Sequence, residues 1–210
     1  MDEPAGQAEA NFAYWTIPRV TEVEKAMSRK ILLLGNPLLR EKSAAVRDFD
    51  DAGLRAEISE LEGALDDFRR AKGFGRGLSA PQLGIMRRII ALNLGEGTFV
   101  LVNPRITARS DLSFTMWDDC MSFPDLLVKV RRSLSISVEY QDGAGAAKSW
   151  EGIAQAEAEL LQHEIDHLDG ILAVDRASDV KNIIYRSEFE AFRDLYEGQV
   201  DYVIKPTIKS

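Results

Sequence analysis

The chain has 210 residues, 45% of them hydrophobic and 29% charged, the composition of an ordinary globular protein with enough apolar side chains for a full core. Its 34 acidic residues outnumber 26 Lys and Arg, a formal charge of −8, which excludes nucleic-acid binding through the overall field. A single cysteine, Cys120, excludes an internal disulfide and suits a reducing compartment.

Residues 1–28 are polar and acidic, with a short helical possibility at TEVEKAM. They read as an extension to one domain expected over 29–210. The opening MDEPAGQAEANFAYW has neither a basic n-region nor an apolar h-region. No apolar run reaches the roughly 18–20 residues that cross a bilayer, so a soluble cytoplasmic protein without a membrane partner is expected. KILLLG at 30–35 is a compact apolar segment ending at an Asn36-Pro37 turn signal. Between residues 50 and 73, Leu54, Ile58, Leu61, Leu65 and Phe68 recur at alternating steps of four and three. Acidic residues lead this stretch and Gly73 follows it, which predicts an amphipathic helix.

Strands are predicted over 87–94 and 98–106 around a Gly95–Gly97 turn. Another is predicted over 133–140, where Leu134, Ile136, Val138 and Tyr140 alternate ahead of an Asp142-Gly143 turn. KVRR at 129–132 is read as an exposed strand end and not as a basic patch. Two helices should close the chain: one over about 153–169 stopped by Gly170, and one over about 179–197 carrying Ile183, Ile184, Phe189, Phe192, Leu195 and Tyr196. Helices at the two ends with strands between them indicate an α+β domain.

The chain's two histidines, His163 and His167, flank Glu164 in QHEIDHL at 162–168. Residues i and i+4 share one helix face, so both imidazoles can point at a common metal with a carboxylate beside them as base. By angle, Ala154, Ala158, Leu161, Ile165 and Leu168 make one apolar stripe. The histidines fall nearly opposite it, in company with Ala156 and Leu160, while Gln155, Gln162, Asp166 and Asp169 make a separate polar wedge. A helix enclosed on two sides is predicted, and imidazoles in such a place need a metal or hydrogen bonds. A third ligand is wanted. Cys120 and Glu188 are both candidates, and position alone does not choose between them.

Three separated segments decide the matter by resemblance: GRGLSAPQLG at 75–84, DDCMS at 118–122 and QHEIDHLDG at 162–170. In order and spacing they are similar to the peptide deformylase motifs G-x-G-L-A-A-P-Q-x-G, E-G-C-L-S and Q-H-E-x-D-H-L-x-G. The resemblance implies an α+β fold whose mixed or antiparallel sheets wrap a central metal-binding helix, with a C-terminal helix packed on the body. It implies a hydrolase that removes the N-formyl group from formyl-methionyl peptides of nascent chains. It further implies that Cys120, His163 and His167 hold one divalent metal, ferrous iron first and zinc or nickel as alternatives. Glu164 would be the general base, with the Gln82 amide and the Met121 N–H as oxyanion donors. Gly75, Arg76, Gly77, Asp119 and Leu160 would line the substrate. The ribosome is a candidate partner, no direct nucleic-acid binding is expected, and the chain would be a monomer or homodimer.

The match departs at the second motif, where Asp118 stands for glutamate and Asp119 for glycine. Asp118 is expected to fall short of what the longer side chain held. Asp119 is expected to crowd the peptide and to disfavour a second negative charge on Cys120. Ser79 stands for alanine, Glu159 occupies a position that is commonly basic or apolar, and Leu160 narrows the side-chain pocket. Two alternatives follow: a family member with altered substrate or no activity that binds peptides or a partner, and a metallopeptidase using Glu188.

Overall fold

The computed structural model describes residues 29–204, so the 1–28 extension and its TEVEKAM helix lie outside the described residues. The predicted amphipathic helix is α1 (Ala52–Lys72). Asp51 caps it by accepting a bond from the Gly53 N–H at 2.8 Å, and Gly73 ends it at φ +74, a left-handed conformation that glycine adopts without steric cost.

Two antiparallel sheets follow. β1 (Gly77–Ser79), β2 (Ile89–Asn93), β3 (Thr98–Arg109), β6 (Ile136–Gln141) and β7 (Ala147–Ile153) form one, in the order β1-β2-β3-β6-β7. β4 (Ser113–Asp119), β5 (Leu126–Ser133) and β8 (Ile183–Tyr185) form the other. α2 (Gln155–Leu168) is the predicted histidine helix. β2 shows why the helices sit where they do, because alternate strand residues face opposite sides of a sheet. Ile89 and Ala91 pack with Leu54, Leu61 and Leu65 of α1, while Ile90 and Leu92 pack with Leu161, Ile165 and Leu168 of α2.

α2 is more deeply enclosed than the stripe alone implies, since every residue from Ala158 to Leu168 is buried, the polar wedge residues Gln162 and Asp166 included. Ala154, assigned to the stripe, is exposed because it is the extended N-cap and not part of the helix. No helix among the described residues is long and apolar enough to cross a membrane.

The single helix expected over 179–197 needs correction. A 3-10 turn at Val180–Asn182 leads into β8, then into α3 (Arg186–Ala191) and α4 (Arg193–Glu197), interrupted at Phe192 with φ −124 and ψ 42. The β-branched pair Ile183-Ile184 is better suited to a pleated strand than to a helix, and it pairs with Val128 and Leu127 of β5. Trp117 of β4 fastens this end to the body. Its indole N–H donates to the Tyr196 carbonyl at 2.8 Å, and the two rings meet edge to face at 5.4 Å.

Two small devices complete the frame. The extended segment before Asn36 is a strap: the Leu32 N–H donates to the Gln82 carbonyl at 2.7 Å and the Leu34 N–H to the Ser122 carbonyl at 2.8 Å. Asn103, at φ +52 beside a register shift in β3, accepts from the Val46 N–H and donates to the Val46 carbonyl and to Gln141 Oε1, each at 2.8 Å. One side-chain amide thus joins the segment before α1 to the sheet. Both Asn103→Gly and Asn103→Ala lose those bonds, but only alanine adds left-handed strain. The alanine variant is therefore expected to be about 1–2 kcal/mol less stable than the glycine variant in urea denaturation.

Candidate active site

Three elements converge on one point. α2 supplies His163, Glu164 and His167, the turn after β4 supplies Cys120, and the 3-10 turn Ala80–Leu83 after β1 supplies Gln82. The ligand atoms of Cys120, His163 and His167 all lie within 4.8 Å of one another. His167 Nε2 is 3.2 Å from Cys120 Sγ and 3.1 Å from His163 Nε2. A tetrahedral ion with bonds of about 2.0–2.3 Å spaces its ligand atoms about 3.3–3.8 Å apart, so one sulfur and two imidazole nitrogens at these separations fit a single metal ion. Glu188 is exposed on α3 and outside this cluster.

Asp118 fixes the direction of His163. Its Oδ2 is 3.0 Å from His163 Nδ1, which leaves Nε2 turned toward the cluster. The aspartate thus has two partners despite its shorter reach, since Arg132 donates to the same oxygen at 2.9 Å. Arg132 is 4% exposed and also pairs with Asp166, which Arg176 holds from the other side at 2.6 Å. Burial opposes the charged form of Asp118, yet His163 and Arg132 outweigh it and hold the carboxyl far below its usual range. Burial likewise opposes a charge on His163, but Asp118 and then Cys120 raise its proton affinity well above the ordinary value. Burial and the neighbouring His163 push His167 well below.

The Asp166 and Asp169 carboxylates make no hydrogen bond to the histidine rings; arginines hold both. Asp169 pairs instead with Arg88 at 2.7 Å. Of KVRR, Arg131 is exposed as a strand end would be, whereas Arg132 is buried structure. Asp119 lines the cleft, but its Oδ2 pairs with Arg186 at 3.0 Å, so its charge is balanced.

Glu164 is 4% exposed, and burial raises its carboxyl above the usual value against the pull of His163 and Ser79. The Ser79 hydroxyl is 2.6 Å from Glu164 Oε2 and 2.8 Å from the Glu164 carbonyl oxygen. The serine at the family's alanine position is thus in direct contact with the candidate base. Gly77 makes room for that carboxylate, since a Cβ there would stand 2.7 Å from Glu164 Oε1. Gln82 is locked at its oxygen end, where Oε1 accepts from the Ser79 N–H at 2.9 Å. Its Nε2 donates to Ser122 Oγ at 3.2 Å and faces Cys120 Sγ at 3.6 Å. The Met121 N–H has no hydrogen-bond acceptor among the described residues.

These groups open on a cleft of about 380 Å³ whose lining includes Gly75, Arg76, Gly77, Asp119, Met121 and Leu160. Gly75 has φ +117, and a Cβ there would meet Met121 Cε at 2.9 Å. Arg76 crosses from β1 to α2, donating to the Ala156 carbonyl at 2.8 Å and pairing with Glu159. Burial, only partly offset by Arg76, pushes the Glu159 carboxyl up to about 7. Asp118, Arg132, Ser79 and Ser122 escaped the sequence reading as working parts of the site. The one available signal was parity, since Met116, Asp118 and Cys120 alternate toward one side of β4 and its continuation.

Fold and site together define a metal-dependent hydrolase. The sequence profile of the polypeptide deformylase family matches residues 28–182. A peptide deformylase of Thermotoga sp. (strain RQ2) is 34% identical over 161 residues, covering 76% of this chain and 93% of that one. The crystal structure of peptide deformylase from Thermotoga maritima superposes with a TM-score of 0.65 at 32% identity, covering 73% of this chain and 99% of that one. That of a peptide deformylase from Legionella pneumophila gives 0.66 at 31% identity, covering 82% and 96%. The chain belongs to the polypeptide deformylase family and is, with it, a metal-dependent hydrolase of the N-formyl group.

Two outcomes are expected from this geometry. Arg132→Met strips two buried carboxylates of a shared partner and should cost roughly 3–5 kcal/mol in urea denaturation. Gly77→Ala displaces the Glu164 carboxylate and should lower kcat about 10–100-fold, with metal content unchanged by elemental analysis.

Proposed function

We propose that this chain deformylates N-formylated peptides with Cys120, His163 and His167 holding one divalent metal, Glu164 as general base, and Gln82 with Met121 as oxyanion donors. The observation that carries the reading is the meeting of one sulfur and two imidazole nitrogens beside a buried carboxylate, inside a peptide-sized cleft. A mixed thiolate and imidazole set suits ferrous iron or zinc, with nickel next. When bound, the metal would lower the pKa of a water from its high bulk value toward about 7.

The remaining work falls to the protein. Glu164 takes the water's proton and returns it to the leaving amine, with Ser79 holding the carboxylate in place between the two transfers. Attack on the formyl carbon creates an oxyanion, and the donors aimed at it are Gln82 Nε2 and the Met121 N–H. The Gln82 amide cannot flip cheaply, because its oxygen already accepts from Ser79. A positioned donor of this kind is worth about 3–4 kcal/mol of barrier. β1 is the edge strand of its sheet and lines the cleft. An extended peptide would add to that edge past Gly75 and Gly77, with Asp119 and Leu160 flanking it. We take residues 29–210 as one deformylase unit behind the 1–28 extension; the family match covers residues 28–182, and β8, α3 and α4 follow it.

Formate release from short formyl-methionyl peptides, by protein purified without oxygen and reloaded with ferrous iron, tests the reading. Glu164→Ala should keep the metal and lose about 10²–10⁴ in rate. Cys120→Ala should lose both metal and turnover, whereas Glu188→Ala should keep both. Metal retained by Cys120→Ala and lost by Glu188→Ala would reverse the ligand assignment. Metal-loaded wild type without turnover would sink the deformylase assignment.

A further inference from the structure

The cleft wall carries a feature that formyl hydrolysis does not require. Arg76 and Glu159 form an ion pair there, with side chains 12% and 2% exposed, in a lining that also holds Phe68, Met121, Leu127 and Leu160 beside the polar Asp119 and Tyr202. Two charges desolvated in an apolar wall are a poor source of stability, because apolar side chains of similar volume do as well. Their place in the cleft gives them another use.

Glu159 precedes His163 by four residues and therefore stands one helical turn, about 5.4 Å, along the same face from the metal ligand. Arg76 lies between Gly75 and Gly77, and Gly77 is packed against Glu164. In a bound formyl peptide the first Cα is about 2.5 Å from the formyl carbon, by the standard C–N and N–Cα lengths. An unbranched side chain of four heavy atoms extends about 5 Å further, so its tip reaches up to about 7.5 Å from the reacting centre, more than the one helical turn that separates Glu159 from His163. The wall within that reach includes Glu159, one turn along the helix from His163, and its partner Arg76. Glu159 Oε1 is taken by Arg76, while Oε2 has no hydrogen-bond partner among the described residues. Arg76 is anchored by the Ala156 carbonyl and the Glu159 carboxylate, so the pair is held in place before substrate arrives.

We infer that the Arg76–Glu159 pair gives the pocket for the first side chain a polar end, so that the enzyme takes, beside methionine, formylated peptides whose first side chain ends in a neutral hydrogen-bonding group such as an amide. An amide of glutamine length donates to Glu159 Oε2 and accepts from the Arg76 guanidinium. A methionine sulfur, a weak acceptor, faces the same guanidinium. A purely apolar tip of equal length leaves the pair unanswered. The inference rests on the deformylase reading for its substrate and on the ion pair for its selectivity.

The test compares formyl-Gln-Ala-Ser with formyl-norleucyl-Ala-Ser, as the ratio of kcat/KM, in iron-loaded wild type, in Glu159→Leu and in the double variant Arg76→Leu/Glu159→Leu. The double variant removes the pair without leaving an unpaired arginine, which keeps the test valid where the single variant folds poorly. The glutamine-to-norleucine ratio should fall at least tenfold in the double variant, and a smaller fall overturns the inference. Calorimetric binding of the two deformylated products, Gln-Ala-Ser and norleucyl-Ala-Ser, reads the same preference without turnover. If wild type holding metal cleaves neither these peptides nor formyl-Met-Ala-Ser, the deformylase reading fails, and the calorimetric ratio then decides the role of the pair by the same tenfold criterion.

Discussion

The structure depends on a helix that carries two histidines, two glutamates, a glutamine and an aspartate into the interior, with one side facing the floor of the cleft. α2 is buried from Ala158 onward, so each of those polar groups needs a partner from elsewhere in the chain. The second sheet supplies most of them. Arg132 of β5 holds Asp166, Asp118 of β4 turns His163, and Gln162 exchanges bonds with the backbone of Ser133 at 2.9 and 3.0 Å. The first sheet supplies Ser79 to Glu164 and Arg76 to Glu159. Reactivity and fold specificity rest on the same contacts, because the side chains that position the chemistry are those that make burial of the helix tolerable.

Much of this was legible in the sequence, and for identifiable reasons. α1 and α2 announce themselves by helical spacing and by their stops, Gly73 and Gly170. The strands β2, β3 and β6 are marked by apolar runs or alternation between turns. The convergence of the two histidines followed from spacing on one helix, and the order of three motifs pointed to Cys120, which lies beside both of them.

What was not legible depends on partners far along the chain. β4 and β7 carry polar residues on both sides of an alternation too short to stand out. Arg132 reads as surface charge until Asp118 and Asp166 are seen around it. Asp118 looked too short because reach depends on what approaches from behind, and no local pattern encodes that. The run at the C-terminal side had the apolar content of a helix. Its β-branched pair was claimed by the open edge of β5, an instance of tertiary pairing overriding local periodicity.

The strap at 31–34 gives the chain a shortest working length. Leu32 is bonded to the carbonyl of Gln82, the candidate oxyanion donor, and Leu34 to the carbonyl of Ser122, on which the same amide rests. The turns bearing the first and second motifs are therefore held in mutual register by residues that precede both and belong to neither. Trimming the chain as far as Arg29 leaves that clasp intact, while trimming it past Leu34 frees two turns whose relative position the chemistry requires. A nick at Leu33, which is 60% exposed, would have the same effect without removing a single residue of the motifs.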